Sequence, residues 1–279
     1  MFKNILVTVA GRGLCEQMVN MLLEIPSIKQ ASVTVLHVVP PQATAQAMSQ
    51  KLEEGGKILA EAVKSIKIDD PNRIDPRLKQ GDRKDVVLAV AKEEDSDLII
   101  MGSRALGRLE AILKNSVSQY VFQLASRPML LVKDDVYVKR IYRVMVALDS
   151  SPAAQQSLQL ALSLLRDIPG GKAKLVLAHV NPDKNVTNPE EDPLLKEAAK
   201  QAKQMGVAYS CINSRGDASK EICRLVEDEN IDLLILGSPD RRPSVAKTLP
   251  DLDRLLGSSL SDYVRVNANC PVLLARFPN

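Results

Sequence analysis

The amino-acid sequence specifies an α/β protein made of two similar halves, each a five-stranded parallel sheet flanked by helices. Three observations carry that reading. The chain has 279 residues, about twice the ~100–150 of a common domain. Six short blocks recur in the same order in its two halves. Within each half, brief apolar runs alternate with segments of helical period.

The repeat organises everything else. N-I-L-V-T-V-A at Asn4–Ala10 matches R-V-M-V-A-L-D at Arg143–Asp149, and V-T-V-L-H-V-V around His37 matches A-K-L-V-L-A-H-V around His179. Gly81-Asp82 pairs with Gly216-Asp217, and D-L-I-I-M-G-S at Asp97–Ser103 with D-L-L-I-L-G-S at Asp232–Ser238. S-Q-Y-V at Ser118–Val121 matches S-D-Y-V at Ser261–Val264, and R-P-M-L-L-V-K at Arg127–Lys133 matches C-P-V-L-L-A-R at Cys270–Arg276. The chain reads as a tandem duplication with a charged seam at Lys133–Arg140, giving domains 1–135 and 140–279.

The elements follow in order. Ile5–Val9, Val33–Val38, Leu98–Met101 and Met129–Val132 are strand-length runs rich in β-branched residues and Leu. Their continuous apolarity fits strands buried on both faces, which is the condition of a parallel sheet covered by helices. A weaker strand near Arg77–Lys79, matched by Ala208–Ile212, makes the fifth of each half. Met48–Ile66 and Asp85–Glu94 space their apolar residues as helices do, and Asp82 and Asp217 are N-cap residues for the helices they precede. Asn181–Pro193 is a polar, proline-rich, lid-like loop where the first half has a longer helix. The last strands, Met129–Val132 and Val272–Ala275, would leave sheet edges open. The expectation is that they pair with each other as an intramolecular pseudo-dimer, with a further homodimer left open.

Composition excludes several functions. Lys+Arg 37 against Asp+Glu 34 leaves +3, and aromatic residues total 3% with no Trp. Neither a nucleic-acid surface nor a polybasic membrane anchor is expected from that balance. No apolar run approaches the ~18 residues of a membrane span, and the N-terminus lacks an export pattern. Cys15, Cys211, Cys223 and Cys270 stand singly, as thiols do in a reducing cytoplasm.

Ligands of such sheets bind beyond the carboxyl ends of the strands, so the residues after each strand are the candidates. Asp149-Ser150-Ser151 follows strand one of the second half, and Gly237-Ser238-Pro239-Asp240 follows strand four. A helix opens near Leu255–Ser259, where Gly and Ser present backbone N–H groups and a positive dipole end to an anion. The plain alternatives are a turn at Gly237-Ser238 and a helix cap at Asp149. His37 and His179, both at strand ends, read as hydrogen-bonded core histidines. No zinc ligand set, nucleophile elbow, Walker loop or dinucleotide fingerprint occurs.

V-A-L-D, A-H-V, I-D-L-L-I-L-G-S and G-S-S-L-S-D-Y-V-R-V-N-A-N-C-P-V-L-L-A-R together resemble universal stress proteins. I-L-V-T-V, V-L-H-V-V, S-D-L-I-I-M-G-S-R and N-S-V-S-Q-Y-V carry the same resemblance in the first half. It covers nearly the whole chain and implies two tandem Rossmann-like, adenine nucleotide alpha hydrolase-like domains. Nucleotide-binding members share Gly, two residues, Gly, nine residues, then Gly and Ser/Thr, with an Asp ending strand one. The first half keeps Gly102 but has Ala10, Ala105 and Asn115 at the other places, with Gly107 nearby, so its site looks degenerate. For the second half the resemblance implies Asp149, Val180, Gly237, Gly257, Ser258 and Ser259 as nucleotide contacts. There Asp240 stands at the second glycine position in a lengthened loop, so Arg241, Arg242, Lys247 or a Mg²⁺ ion must offset its charge. The resemblance implies ATP or another adenine nucleotide as ligand in the second half, and a stress-responsive, non-catalytic sensor or regulator. The alternative is a scaffold that binds partners and no nucleotide, both sites having decayed.

Overall fold

The computed structural model describes residues 1–103, 116–137, 139–168, 172–181, 188–238 and 260–276, in two compact units, Phe2–Val138 and Lys139–Asn279. The first contains β1 (Asn4–Thr8), α1 (Leu14–Leu23), β2 (Ser32–Val39), α2 (Ala45–Ser65), β3 (Ile74–Gln80), α3 (Arg83–Glu93), β4 (Leu98–Ser103), α4 (Val117–Leu124) and β5 (Met129–Lys133). The second contains β6 (Arg143–Leu148), α5 (Pro152–Arg166), β7 (Lys174–Val180), α6 (Pro193–Gln204), β8 (Tyr209–Ser214), α7 (Ala218–Asp228), β9 (Leu233–Gly237), α8 (Leu260–Asn267) and β10 (Val272–Ala275). The strand order is β3-β2-β1-β4-β5 in the first unit and β8-β7-β6-β9-β10 in the second. Within each unit neighbouring strands run parallel.

The expected apolar strands form the core. Ile5, Leu6, Val7, Leu98, Ile99 and Ile100 are at most 1% exposed, each contributing roughly 1.5–3 kcal/mol by leaving water. Strand β3, I-D-P-R-L-K-Q, alternates between half-buried and exposed residues because it pairs on one side with β2. That position, rather than weak strand character, explains why its apolar signal is faint.

The duplicated aspartates each have a local task. Asp97 accepts hydrogen bonds from the Lys3 and Asn4 N–H groups at 2.7 and 3.2 Å, which ties the start of β4 to the start of β1. Asp232 does the same for Tyr142 and Arg143 at 3.0 and 2.8 Å. Asp82 and Asp217 cap α3 and α7 through the Lys84 and Lys220 N–H groups, as the sequence predicts. Gly81 and Gly216 before them sit at φ 142° and 119°, where an L side chain is strained.

Candidate functional site

Strand β6 lies between β7 and β9, and its chain leaves toward β7 while β9 returns on its other side. This is a topological switch point, where parallel sheets open a crevice at their carboxyl ends. Leu148 pairs with His179, and Ala147 with Leu236. Asp149, Val180 and Gly237 are therefore brought to three adjacent strand ends. Gly257, Ser258 and Ser259, with Asp240, Arg241, Arg242 and Lys247, lie outside the described residues.

Asp149 is exposed, and its Oδ1 accepts the Ser151 N–H at 2.8 Å. Ser151 is the N-cap of α5, its Oγ accepting the Ala154 N–H at 3.1 Å, with Pro152 in the first turn. The cap is thus Ser151, and Asp149 shapes the turn before it. Val180 is the half-buried last residue of β7, and the next N–H, of Asn181, donates to the Ser214 carbonyl at 2.9 Å.

Gly237 has a packing reason to be glycine. A Cβ there would stand 2.5 Å from the Ala153 carbonyl carbon and 2.6 Å from the Ala153 oxygen and the Ala154 nitrogen. The first turn of α5 lies against the end of β9 as only glycine permits.

The two repeat-equivalent histidines take different partners. The His37 ring Nδ1 lies 2.8 Å from the Val9 carbonyl oxygen. His179 Nδ1 instead lies 2.6 Å from Asp192 Oδ2, which also accepts from Asn181 Nδ2 at 3.0 Å. Asp192 is fully buried and its Oδ1 caps α6 by accepting the Leu194 and Leu195 N–H groups at 2.9 and 3.3 Å. Burial pushes the Asp192 carboxyl up, yet the hydrogen bonds from His179 and the backbone outweigh it and hold it below the usual carboxylate range. Both histidines are hydrogen-bonded core groups, as the sequence predicts. Sequence reasoning misses the Asp192 clasp, although Asp followed by Pro193 at a helix start is a legible cap signal.

In the first unit the strand-one turn is Ala10-Gly11-Arg12-Gly13. Gly11 and Gly13 both have φ 75°, and Gly13 is the N-cap of α1 with no side-chain cap. Arg12 pairs with Asp134. A methyl group at Gly102 would find room, its nearest neighbour being Cys15 Sγ at 3.8 Å. Burial, with Glu16 adding to it, pushes the Cys15 thiol up to about 12, which removes it as a nucleophile at neutral pH. Ala105, Gly107 and Asn115 lie outside the described residues. Among the described residues no group of His, Cys, Asp and Glu is arranged to hold a metal ion, and no helix is long and apolar enough to cross a membrane.

Comparison with known proteins agrees with this architecture. The family model described as "Universal stress protein family" matches residues 1–133 and again 141–276. A universal stress protein of Thermus aquaticus is 30% identical over 140 residues, covering 48% of this chain and 100% of its own length. Universal stress protein YxiE of Bacillus subtilis is 26% identical over 149 residues, with the same shares. Among solved structures, a universal stress protein from Archaeoglobus fulgidus aligns with a TM-score of 0.75 at 20% identity, covering 98% of both chains. Two matches of one family model, laid end to end over two copies of one α/β unit, establish that the chain belongs to the universal stress protein family, with two such domains in tandem.

Proposed function

We propose that this tandem universal stress protein is a non-catalytic sensor or regulator that takes one adenine nucleotide, in its second unit. The observation that supports it is the convergence of Asp149, Val180 and Gly237 on the β7–β6–β9 strand ends. The Asp149 carboxylate is suited to accept ribose hydroxyls, and Val180 to meet an adenine face. Gly257, Ser258 and Ser259 are the phosphate contacts in this reading. Mg²⁺ or the basic residues Arg241, Arg242 and Lys247 offset Asp240. The non-catalytic part rests on how polar groups are spent. Ser151 Oγ caps α5 and His179 Nδ1 holds the Asp192 clasp, so the serine and the histidine that a hydrolytic reading would enlist each have a structural task. A cytoplasmic setting suits four unbridged cysteines.

A second reading, a partner-binding scaffold without nucleotide, is favoured by one finding. The α5 N-terminus is satisfied by its own Ser151 cap and occupies the space beside Gly237. Calorimetry with ATP separates the two. The nucleotide reading expects one equivalent bound by the wild type, loss in Asp149→Ala and Gly257→Val, and no change in Ala10→Asp. No heat at millimolar ATP, or two equivalents bound, supports the scaffold reading instead. Turnover of ATP without a partner would overturn the non-catalytic assignment.

A further inference from the structure

One buried carboxylate of the second unit is bonded to the residues on either side of Val180. Asp192 Oδ2 takes the His179 ring at 2.6 Å and the Asn181 amide at 3.0 Å. Side chains alternate along a strand, so His179 and Asn181 turn to one face of the sheet and Val180 to the other. Strand register fixes which face is which, because residues opposed in a parallel pair share a face. Leu148 opposes His179 and Ala147 opposes Leu236, so Leu148, His179 and Gly237 lie on the face where the Gly237 Cβ would meet Ala153 of α5. Val180 opposes Ser214, whose hydroxyl donates to Glu221 on α7, and α8 packs against α7 on that same side. Val180 is therefore presented toward α8, the helix that follows Gly257, Ser258 and Ser259 in sequence, while Asp192 grips the strand from behind.

Capping a helix asks for less than this. Asp82 and Asp217 cap α3 and α7 with one oxygen each, from exposed positions. Asp192 caps α6 with Oδ1 alone, yet it is fully buried, and stripping water from a carboxylate is costly. What the burial adds is the grip of Oδ2 on β7. The first unit shows the alternative. Its Val38 is the repeat equivalent of Val180, but Val39 stands where Asn181 does. Thr44 caps α2 there, and His37 turns to the Val9 carbonyl. Among the described residues the clasp thus belongs to the unit that carries Asp149 and is missing from the one that carries Ala10.

We propose that Asp192 is a positioning residue of the nucleotide site, which fixes the strand end at Val180 and so gives the site its choice of base. The inference rests on the nucleotide reading of the second unit. Asp192 lies on the face away from the base and acts through His179 and Asn181. Guanine carries an oxygen and a second amino group where adenine carries an amino group and a hydrogen. A strand end that cannot shift leaves the wrong edge unpaired and rejects it, whereas one that can shift adapts to both.

The test titrates the full chain with ATP and with GTP by calorimetry, Mg²⁺ being present. The wild type is expected to prefer ATP at least tenfold. Asp192→Ala removes the clasp and the cap together, while Asn181→Ala removes one arm of the clasp and leaves the cap. Both are expected to lose most of the preference, chiefly by weaker ATP binding. Asp217→Ala deletes a cap of the same unit whose hydrogen bonds stay within α7. It is expected to lower the melting temperature and keep the preference, which separates positioning from stability. Circular dichroism checks each fold, and Asn181→Ala carries the test if Asp192→Ala does not fold. Three results overturn the positioning role and leave the nucleotide reading standing: full preference in Asn181→Ala, a wild type that binds ATP and GTP alike, or equal loss of preference in Asp217→Ala. A wild type that binds neither nucleotide overturns both.

Discussion

Glycines at one repeat position should respond to alanine with opposite sign. At Gly237 the new Cβ would lie 2.5 Å from the Ala153 carbonyl carbon, whereas carbon atoms settle at about 3.5–4.0 Å. Helix α5 must therefore withdraw by about 1 Å, because the obstacle is its backbone and not the tip of a flexible side chain. Ala154, Leu158, Ala161, Leu162 and Leu165 on that helix are at most 3% exposed, and a gap of ~0.5–1 Å forfeits a quarter to a half of each contact's attraction. Overpacking of this kind costs about 1–3 kcal/mol, and the rigid obstacle places Gly237→Ala near the upper end, at about 3 kcal/mol. At Gly102 the nearest atoms are Cys15 Sγ at 3.8 Å and the Val132 oxygen at 4.0 Å. Alanine fits there, and its stiffer unfolded chain adds roughly 0.4–1 kcal/mol of stability. The chain has no tryptophan, so urea unfolding is followed by far-UV circular dichroism. Effects of equal sign and size at the two positions would refute the packing argument.

Adjacent glycines of α2 give a second contrast. A Cβ at Gly56 meets nothing within 4 Å, while one at Gly55 meets the His37 ring at 2.9 Å, Val39 at 3.0 Å and Leu78 at 3.1 Å. Gly56→Ala should add about 1 kcal/mol through helix propensity and Gly55→Ala should lose ~1–3 kcal/mol, both read from urea midpoints. Ser96 is 1% exposed, its hydroxyl has no partner among the described residues, and the repeat has Ile231 in its place. Ser96→Ala is expected to raise stability by about 1 kcal/mol, and a fall in melting temperature would contradict this. Asp192 has a folded pKa below its unfolded value, so its contribution is present above the unfolded pKa of ~3.9 and is lost as pH falls through the folded one. Asp192→Asn should be less stable than the wild type at pH 7, with the difference narrowing below about pH 4. A constant difference down to pH 2 would refute the role given to that carboxylate.

Much of the fold is legible in the sequence because local and global signals agree. Each buried strand announces itself by unbroken apolarity, and β10 falls on Val272–Ala275 as the sequence predicts. β3 and β8 are faint because an edge position relaxes the demand for apolar residues on both faces, so their boundaries emerge only from pairing with β2 and β7. The site is less legible, because a side chain's partner depends on chain distant in sequence. No pattern around His179 distinguishes it from His37. Yet one meets a carboxylate 13 residues on and the other a carbonyl 28 residues back.

The geometry also ranks the residues that motif comparison treats alike. Glycine at 237 is demanded by the approach of Ala153 whether or not a phosphate ever comes near, so its presence weighs little for nucleotide binding. Asp149 is different. Among the described residues its structural task is one hydrogen bond, from the Ser151 N–H to Oδ1, which asparagine or serine accepts as well. The negative charge and the second oxygen exceed what the turn uses. That excess is the part of the site that packing does not explain, and in the first unit, where Ala10 stands at the same place, the turn is built from Gly11 and Gly13 without it. Asp149→Asn isolates the charge while keeping the turn. It should leave the unfolding free energy from urea titration within about 0.5 kcal/mol of wild type, as surface changes do, and lower ATP affinity at least tenfold. A variant that binds ATP like the wild type would show that the carboxylate serves the turn alone.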